Sequence, residues 1–129
     1  MMDAQQELFT SLKLAIEETG LTVYEGNLPP SKAKFPFVML ADTTQIDRLT
    51  KTRGYYMGRI SQKIHVWYND SMKRGSFSRI LEDVKDACRE LEWQNTRFSM
   101  RSLNLNIVED NSTAEPLMHG VITVEYYSS

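Results

Sequence analysis

The chain has 129 residues, a formal net charge of -2 and a quarter of its residues charged, a composition that reads as one domain able to bury a core without staples. It carries no global basic excess of the kind a dedicated nucleic-acid binder needs. Cys88 is the only cysteine, which excludes an internal disulfide and a cysteine-based zinc site and makes a reducing compartment the simplest expectation.

In chain order, residues 4–19 predict a helix. Leu8, Phe9, Leu12, Ala15 and Ile16 recur at helical spacing, Asp3 stands where an N-cap would, and Gly20 falls just past the last turn. The first residues lack a basic region followed by an apolar run, so they do not read as a secretory signal. The longest apolar runs are only a few residues, too short to cross a membrane. A short strand is expected at 21–24. Pro29-Pro30 then interrupts regular structure, because consecutive prolines continue neither a ladder nor a helix interior. Residues 35–41 predict a strand with Pro36 at its start. Phe37 and Met39 fall on one face and Val38 and Leu40 on the other. Two apolar faces suit an interior strand, or a strand with one face against a partner.

Residues 42–58 are the least regular stretch. They hold four threonines, the cations Arg48, Lys51 and Arg53, and then Gly54-Tyr55-Tyr56-Met57-Gly58. We read them as a long loop, or a hairpin extension at about 43–58, carried by a single domain spanning 1–129. A strand at 59–68 follows. Ile60, Ile64, Val66 and Tyr68 make its dry face, with Gln62 as the polar exception; Arg59, Ser61, Lys63, His65 and Trp67 take the other face. Asn69-Asp70-Ser71 offers turn and capping chemistry. The next helix carries a full stripe of Phe77, Ile80, Leu81, Val84, Ala87, Cys88 and Leu91.

Residues 92–96 predict a turn and 97–109 a long strand. Phe98 and Met100 follow one alternation, and Leu103, Leu105 and Ile107 the opposite one. That change of parity predicts a bulge near Arg101-Ser102, since one extra residue flips every later side chain. A polar turn at 110–113 leads to a last strand at 117–127, antiparallel to its predecessor. The order is α-β-β-β-α-β-β: an α+β fold with one mostly antiparallel sheet of about five strands and two helices on one face.

No catalytic signature stands out. His65 and His119 have neither a second histidine nor a carboxylate at ligand spacing, so both read as structural or solvated. Cys88 lies on an apolar stripe and reads as core. Glu82, Asp83, Asp86, Glu90 and Glu92 interleave with Lys85 and Arg89, which reads as a solvated charged helix face. The 54–58 glycines do not join a strand to a helix, so they make no phosphate loop. No cofactor or metal is expected. The stretch with Arg48, Lys51, Arg53, Tyr55 and Tyr56 admits three readings: a nucleic-acid track, a protein interface or a solvated loop. The strand face bearing Lys63, His65 and Trp67 is rich in large side chains for a surface. Two helices cover only one side of a sheet, which leaves a partner subunit as a candidate for the other.

The succession of features resembles a known family. A short helix precedes Val23-Tyr24-Glu25-Gly26-Asn27-Leu28-Pro29-Pro30, and the proline-led Phe35-Pro36-Phe37-Val38-Met39-Leu40 follows. A long polar stretch leads to Ile64-His65-Val66-Trp67-Tyr68-Asn69-Asp70, then a helix starting near Met72. The chain closes on His119-Gly120-Val121-Ile122-Thr123-Val124-Glu125-Tyr126. This order is similar to that of the tail-terminator and head–tail joining (tail completion) proteins of long, flexible-tailed bacteriophages. The resemblance implies a non-catalytic subunit of a ring, commonly a hexamer, at the head-proximal end of the virion tail, assembled in the host cytoplasm. It implies the tail-tube protein and the head connector protein as partners, with DNA only as cargo through the lumen and no membrane. It supplies no family residues to carry over. The contact residues Arg48, Lys51, Arg53, Tyr55, Tyr56, Lys63 and Trp67 rest on the residue patterns above. The other open reading is a cytosolic adaptor or regulatory domain that binds one protein partner.

Overall fold

The computed structural model describes residues 4–25, 34–49, 56–69, 73–91, 98–110 and 117–128, except for the side chains at 4, 25, 47–49, 56–57, 98, 109–110 and 128. The elements are α1 (Ala4–Glu17), β1 (Thr22–Glu25), β2 (Phe37–Leu49), β3 (Tyr56–Tyr68), α2 (Arg74–Arg89), β4 (Phe98–Asp110) and β5 (Leu117–Ser128). They follow the order predicted from sequence. One sheet runs β1-β2-β3-β5-β4. β1 lies parallel to β2, and the other neighbouring pairs are antiparallel, so the fold is α+β with a mixed sheet.

Alternation along the strands gives the sheet a helix side and an open side. Val38, Leu40, Ile60, Ile64, Val66, Ile122, Val124 and Tyr126 point to the helix side. They form one core with Leu8, Leu12 and Ile16 of α1 and Phe77, Leu81, Val84 and Cys88 of α2. The two stripes read from sequence are therefore the buried faces of the helices, and each large side chain buried there contributes roughly 1.5–3 kcal/mol. α2 packs closely over Gly120 of β5. A Cβ there would stand 2.7 Å from Leu81 Cδ2 and 3.2 Å from Phe77 Cζ, so any side chain at this position would force the tips of Leu81 and Phe77 to shift.

The helix ends differ in how far sequence foretold them. Gly20 follows α1 with φ +97, and its N–H donates to Glu17 O at 3.0 Å, as a glycine stop should. Asp3 lies outside the described residues. For α2 the expected cap is corrected: the N-cap is Lys73, which makes no side-chain capping bond. Of Asn69-Asp70-Ser71, only Asn69 is described, and it sits just past the end of β3. The turn expected at 92–96, residues 111–113 of the turn expected at 110–113, and Pro29-Pro30 also lie outside the described residues, while Asp110 is the last residue of β4.

Two bulges shape the sheet. One matches the predicted parity switch: Met100 pairs with Tyr126 and Ser102 with Glu125, leaving Arg101 as the extra residue. Met100 and Leu103 thereby reach the same core. The other bulge is at Asp42, between the pairs Ala41–Lys63 and Thr43–Gln62. It explains the polar exception on the dry face of β3. Gln62, only 1% exposed, donates through Nε2 to Ala41 O at 2.8 Å and to Lys63 O at 2.9 Å. Its Oε1 accepts from the Thr43 hydroxyl. The side chain thus repairs the hydrogen bonding that the bulge disrupts. Beyond the bulge β2 stays paired, with Arg48 opposite Met57 and Leu49 opposite Tyr56. β2 thus runs to Leu49 and β3 starts at Tyr56, so both strands extend into the stretch read from sequence as a long loop or a hairpin extension.

Candidate functional site

The open side of the sheet gathers what the helix side excludes. Phe37, Met39, His65, Trp67 and His119 lie on it, because Phe37 pairs with Trp67, Met39 with His65 and Trp67 with His119. Rings form a nearly continuous row across the strands. Tyr24 on β1 meets Phe37 edge-on at 5.6 Å, Phe37 lies 6.5 Å from Trp67, and Trp67 stacks on His119 at 3.8 Å with planes 11° apart. Phe35 adds a tilted contact to Phe37 at 5.1 Å. Phe37 and Met39 are buried within this row. Cross-strand aromatic pairs of this kind fix register and stiffen a face.

The row ends in a hydrogen-bonded chain that sequence reasoning missed. His65 Nε2 lies 3.3 Å from Asp42 Oδ2, and His65 Nδ1 lies 2.9 Å from His119 Nε2. A carboxylate only accepts, so Nε2–H of His65 donates to Asp42. With His65 neutral, its Nδ1 then accepts from Nε2–H of His119. The two histidines are 54 residues apart, and Asp42 is 23 residues from His65. No spacing rule could join them; only the cross-strand pairing does. The sequence reading took each histidine as structural or solvated and did not see this link. The two bonds leave from different nitrogens of His65, so its ring is engaged on both sides. Among the described residues no three His, Cys, Asp or Glu side chains converge for a metal.

Asp42 can reach His65 because of the bulge. Its φ is +59, a left-handed conformation that Asp tolerates better than most residues. Asp42→Val is expected to cost about 2 kcal/mol, by forcing a β-branched residue into that conformation and removing the histidine's acceptor. Asp42→Gly suits the backbone and should cost less. Urea denaturation of the two variants measures the difference, and equal losses would contradict a backbone contribution.

Towards the other end of the open side the character changes to charged and polar. Lys63 is exposed, Ser61 donates to Glu125 at 3.4 Å, and Arg101 from the β4 bulge lies over the Tyr127 ring at 5.0 Å. The pKa of Arg59, opposite Tyr127, is raised, first by a hydrogen bond to Tyr127 and then by the charge of Glu125. Of the contact residues proposed from sequence, Lys63 and Trp67 stand on this face, with Trp67 half-buried in the ring row. Arg48 and Tyr56 occupy paired positions in the β2–β3 hairpin, with their side chains outside the described residues. Lys51, Arg53 and Tyr55 lie outside the described residues altogether.

The remaining candidates take bland roles. Burial pushes the Cys88 thiol up to about 12 against a weak opposing pull from Arg89, so it is no nucleophile at neutral pH. On α2, Glu82 pairs with Lys85 at 2.8 Å, and Arg89 reaches both Asp86 at 2.8 Å and Glu82 at 3.6 Å. Such exposed helix pairs contribute little each. No described helix is long and apolar enough to cross a membrane.

The sequence matches no protein-family model and no curated protein. Solved structures do share the fold over almost the whole chain. A chain from the virion of a native gene transfer agent (GTA) particle matches with a TM-score of 0.60 and 13% identity, over 98% of this chain and 95% of that one. The bacteriophage SPP1 gp17 protein matches with a TM-score of 0.63 and 20% identity, over 98% of this chain and 91% of that one. At these identities the likeness is one of fold.

Proposed function

We propose that this chain is a structural virion-assembly protein: a phage tail terminator, or tail completion subunit, that closes with its own copies into a hexameric ring. The ring caps the tail tube and presents its opposite side to the head connector, with DNA passing through the lumen as cargo. The observation that carries this reading is the end-to-end fold match to a GTA virion chain and to the SPP1 gp17 protein. The residue-level picture supports it. The open side of the sheet is built from packed rings. The mechanism is geometric. Each subunit offers one surface to a different surface of the next, and the closed ring gives the tube no further growing end.

Within this reading Arg48, Lys51, Arg53, Tyr55, Tyr56, Lys63 and Trp67 serve as subunit or lumen contacts. Replacing Arg48, Lys51 and Arg53 together by glutamine separates the two roles. A subunit-contact role predicts at least a tenfold weaker ring in a dilution series; a lumen role predicts an intact ring with impaired DNA retention in assembled particles. Unchanged ring stability together with unchanged DNA retention would remove these three cations from the account. The overall reading is tested by the mass of the protein in solution and by its ability to stop growth of tail tubes in vitro.

A further inference from the structure

At the end of the open side away from the ring row, three neighbouring strands bring one residue each to a common point. Tyr127 of β5 is its centre. Arg59 of β3 pairs directly with Tyr127 across the strands and hydrogen-bonds to it. Arg101 of β4 lies over the Tyr127 ring, its guanidinium carbon 5.0 Å from the centroid. Arg101 is the extra residue of the β4 bulge, and a bulge of this kind re-aims a side chain that regular pairing would send elsewhere. Two guanidinium groups are thus held on one aromatic ring, one stacked over it and one bonded to it. Lys63, exposed, stands four residues further along β3 on the same face. Glu125 lies between them on β5, where it accepts from Ser61 at 3.4 Å.

We infer that Arg59 and Arg101, held on Tyr127, and Lys63 beside them bind the phosphate backbone of double-stranded DNA. A guanidinium fork matches two oxygens of one phosphate, and an arginine already held in place loses less freedom on binding. Neutral donors of the kind that reach phosphate and sugar flank the cations. Ser99 pairs with Tyr127 and Asn104 with Thr123, and both are exposed. Charge is also divided between the two sides of the subunit. The outer face of α2 exposes Glu82, Asp83, Asp86 and Glu90, which repel a polyanion, so DNA meets the sheet and not the helices. A chain of net charge -2 can therefore present a cationic side. The inference rests on the ring reading above and orients its subunits, with the open side of each sheet turned to the lumen. Phosphate contacts carry no base sequence, so a few per subunit, summed around a ring, hold DNA and let it slide.

The test uses the full chain and a labelled DNA duplex of about 30 base pairs, with affinity read by fluorescence anisotropy between about 50 and about 200 mM salt. Native mass spectrometry of the same samples reads the assembly state. The variants are the doubles Arg59→Gln/Arg101→Gln and Arg59→Lys/Arg101→Lys and the single Lys63→Gln. Arg79→Gln, an equal charge change on the exposed face of α2, is the control. Far-UV circular dichroism and urea midpoints establish that each folds; should the glutamine double fail, Arg101→Gln alone replaces it. We expect the glutamine double to bind at least tenfold more weakly than the parent. Its slope of log affinity against log salt should be shallower by about 1.8, the value for two lost phosphate contacts. Lys63→Gln should lose about 0.9 of slope. The lysine double should keep most of the slope and still bind several-fold more weakly, because it keeps the charge and loses the fork. Arg79→Gln should match the parent, and the mass of every variant should match the parent's.

An intact ring of the glutamine double with unchanged affinity and salt slope would overturn the DNA site and leave the ring reading standing. Loss of the ring in that double would make the cluster a subunit contact and overturn the inference. A lysine double equal to the parent would show bare charge at work and overturn the guanidinium site. A parent that stays monomeric yet shows the expected losses would uphold the site and sink the ring. A parent ring that binds no duplex at about 50 mM salt would overturn the site outright.

Discussion

Raising the pH from 9 towards 12 should destabilise this protein by up to about 4 kcal/mol through Cys88 alone. The cause is burial. Cys88 is packed against the core under α2, and burial lifts its thiol from 9.0 to about 12. The folded chain therefore holds a proton that the unfolded chain begins to release near pH 9. A folded-state pKa above the unfolded one contributes stability that is complete below the unfolded pKa and lost as pH rises through the folded one. Tyr126 acts in the same direction at higher pH. Its hydroxyl is raised by burial and then by Cys88, and it donates to Cys88 O at 2.9 Å. Urea unfolding at pH 7, 9, 10 and 11 measures the loss, with Cys88→Ala and Tyr126→Phe as controls. Cys88→Ala should be less stable at pH 7 but flatter in its pH dependence above 9. A parent and a Cys88→Ala variant with the same slope would show that the thiol is solvated.

Gln62→Leu is the second large effect. A polar residue on an otherwise apolar strand face invites the expectation that leucine would be stabilising. The geometry argues the reverse. Leucine removes the donor serving the Ala41 and Lys63 carbonyls and the acceptor for the Thr43 hydroxyl. A buried polar group left unsatisfied costs about 1–3 kcal/mol, so losing three contacts at one bulge should cost roughly 3 kcal/mol in total. Thr43→Val loses one contact only and should cost about 1 kcal/mol. Chemical denaturation with an unchanged m-value is the measurement. A Gln62→Leu variant as stable as the parent would mean that the bulge satisfies its own backbone.

These two cases show what the sequence makes legible. The α2 stripe and the strand alternations are periodic signals with apolar residues at every step, so the elements, their order and their buried faces follow directly. The bulge at Arg101 is readable for the same reason. Leu103, Leu105 and Ile107 continue the apolar series on the opposite parity from Met100. The bulge at Asp42 is not readable, because the residues after it, Thr43, Gln45 and Asp47, carry no apolar side chain to betray a change of face. That silence also hid the purpose of Gln62. The Asp42–His65–His119 chain was invisible for a related reason. It depends on which residues pair across strands, and pairing is set by the whole sheet. Lys63 and Trp67 could be placed on the open side because their strand has a dry face to count from.

The central claim is that copies of this chain close into a ring. The most direct test is native mass spectrometry of the purified protein over a dilution series, alone and with preformed tail tubes. The account predicts a six-subunit species, present alone or appearing on tube ends, and tubes that stop growing once it is bound. A protein that stays monomeric at every concentration and leaves tube growth unaffected would contradict it.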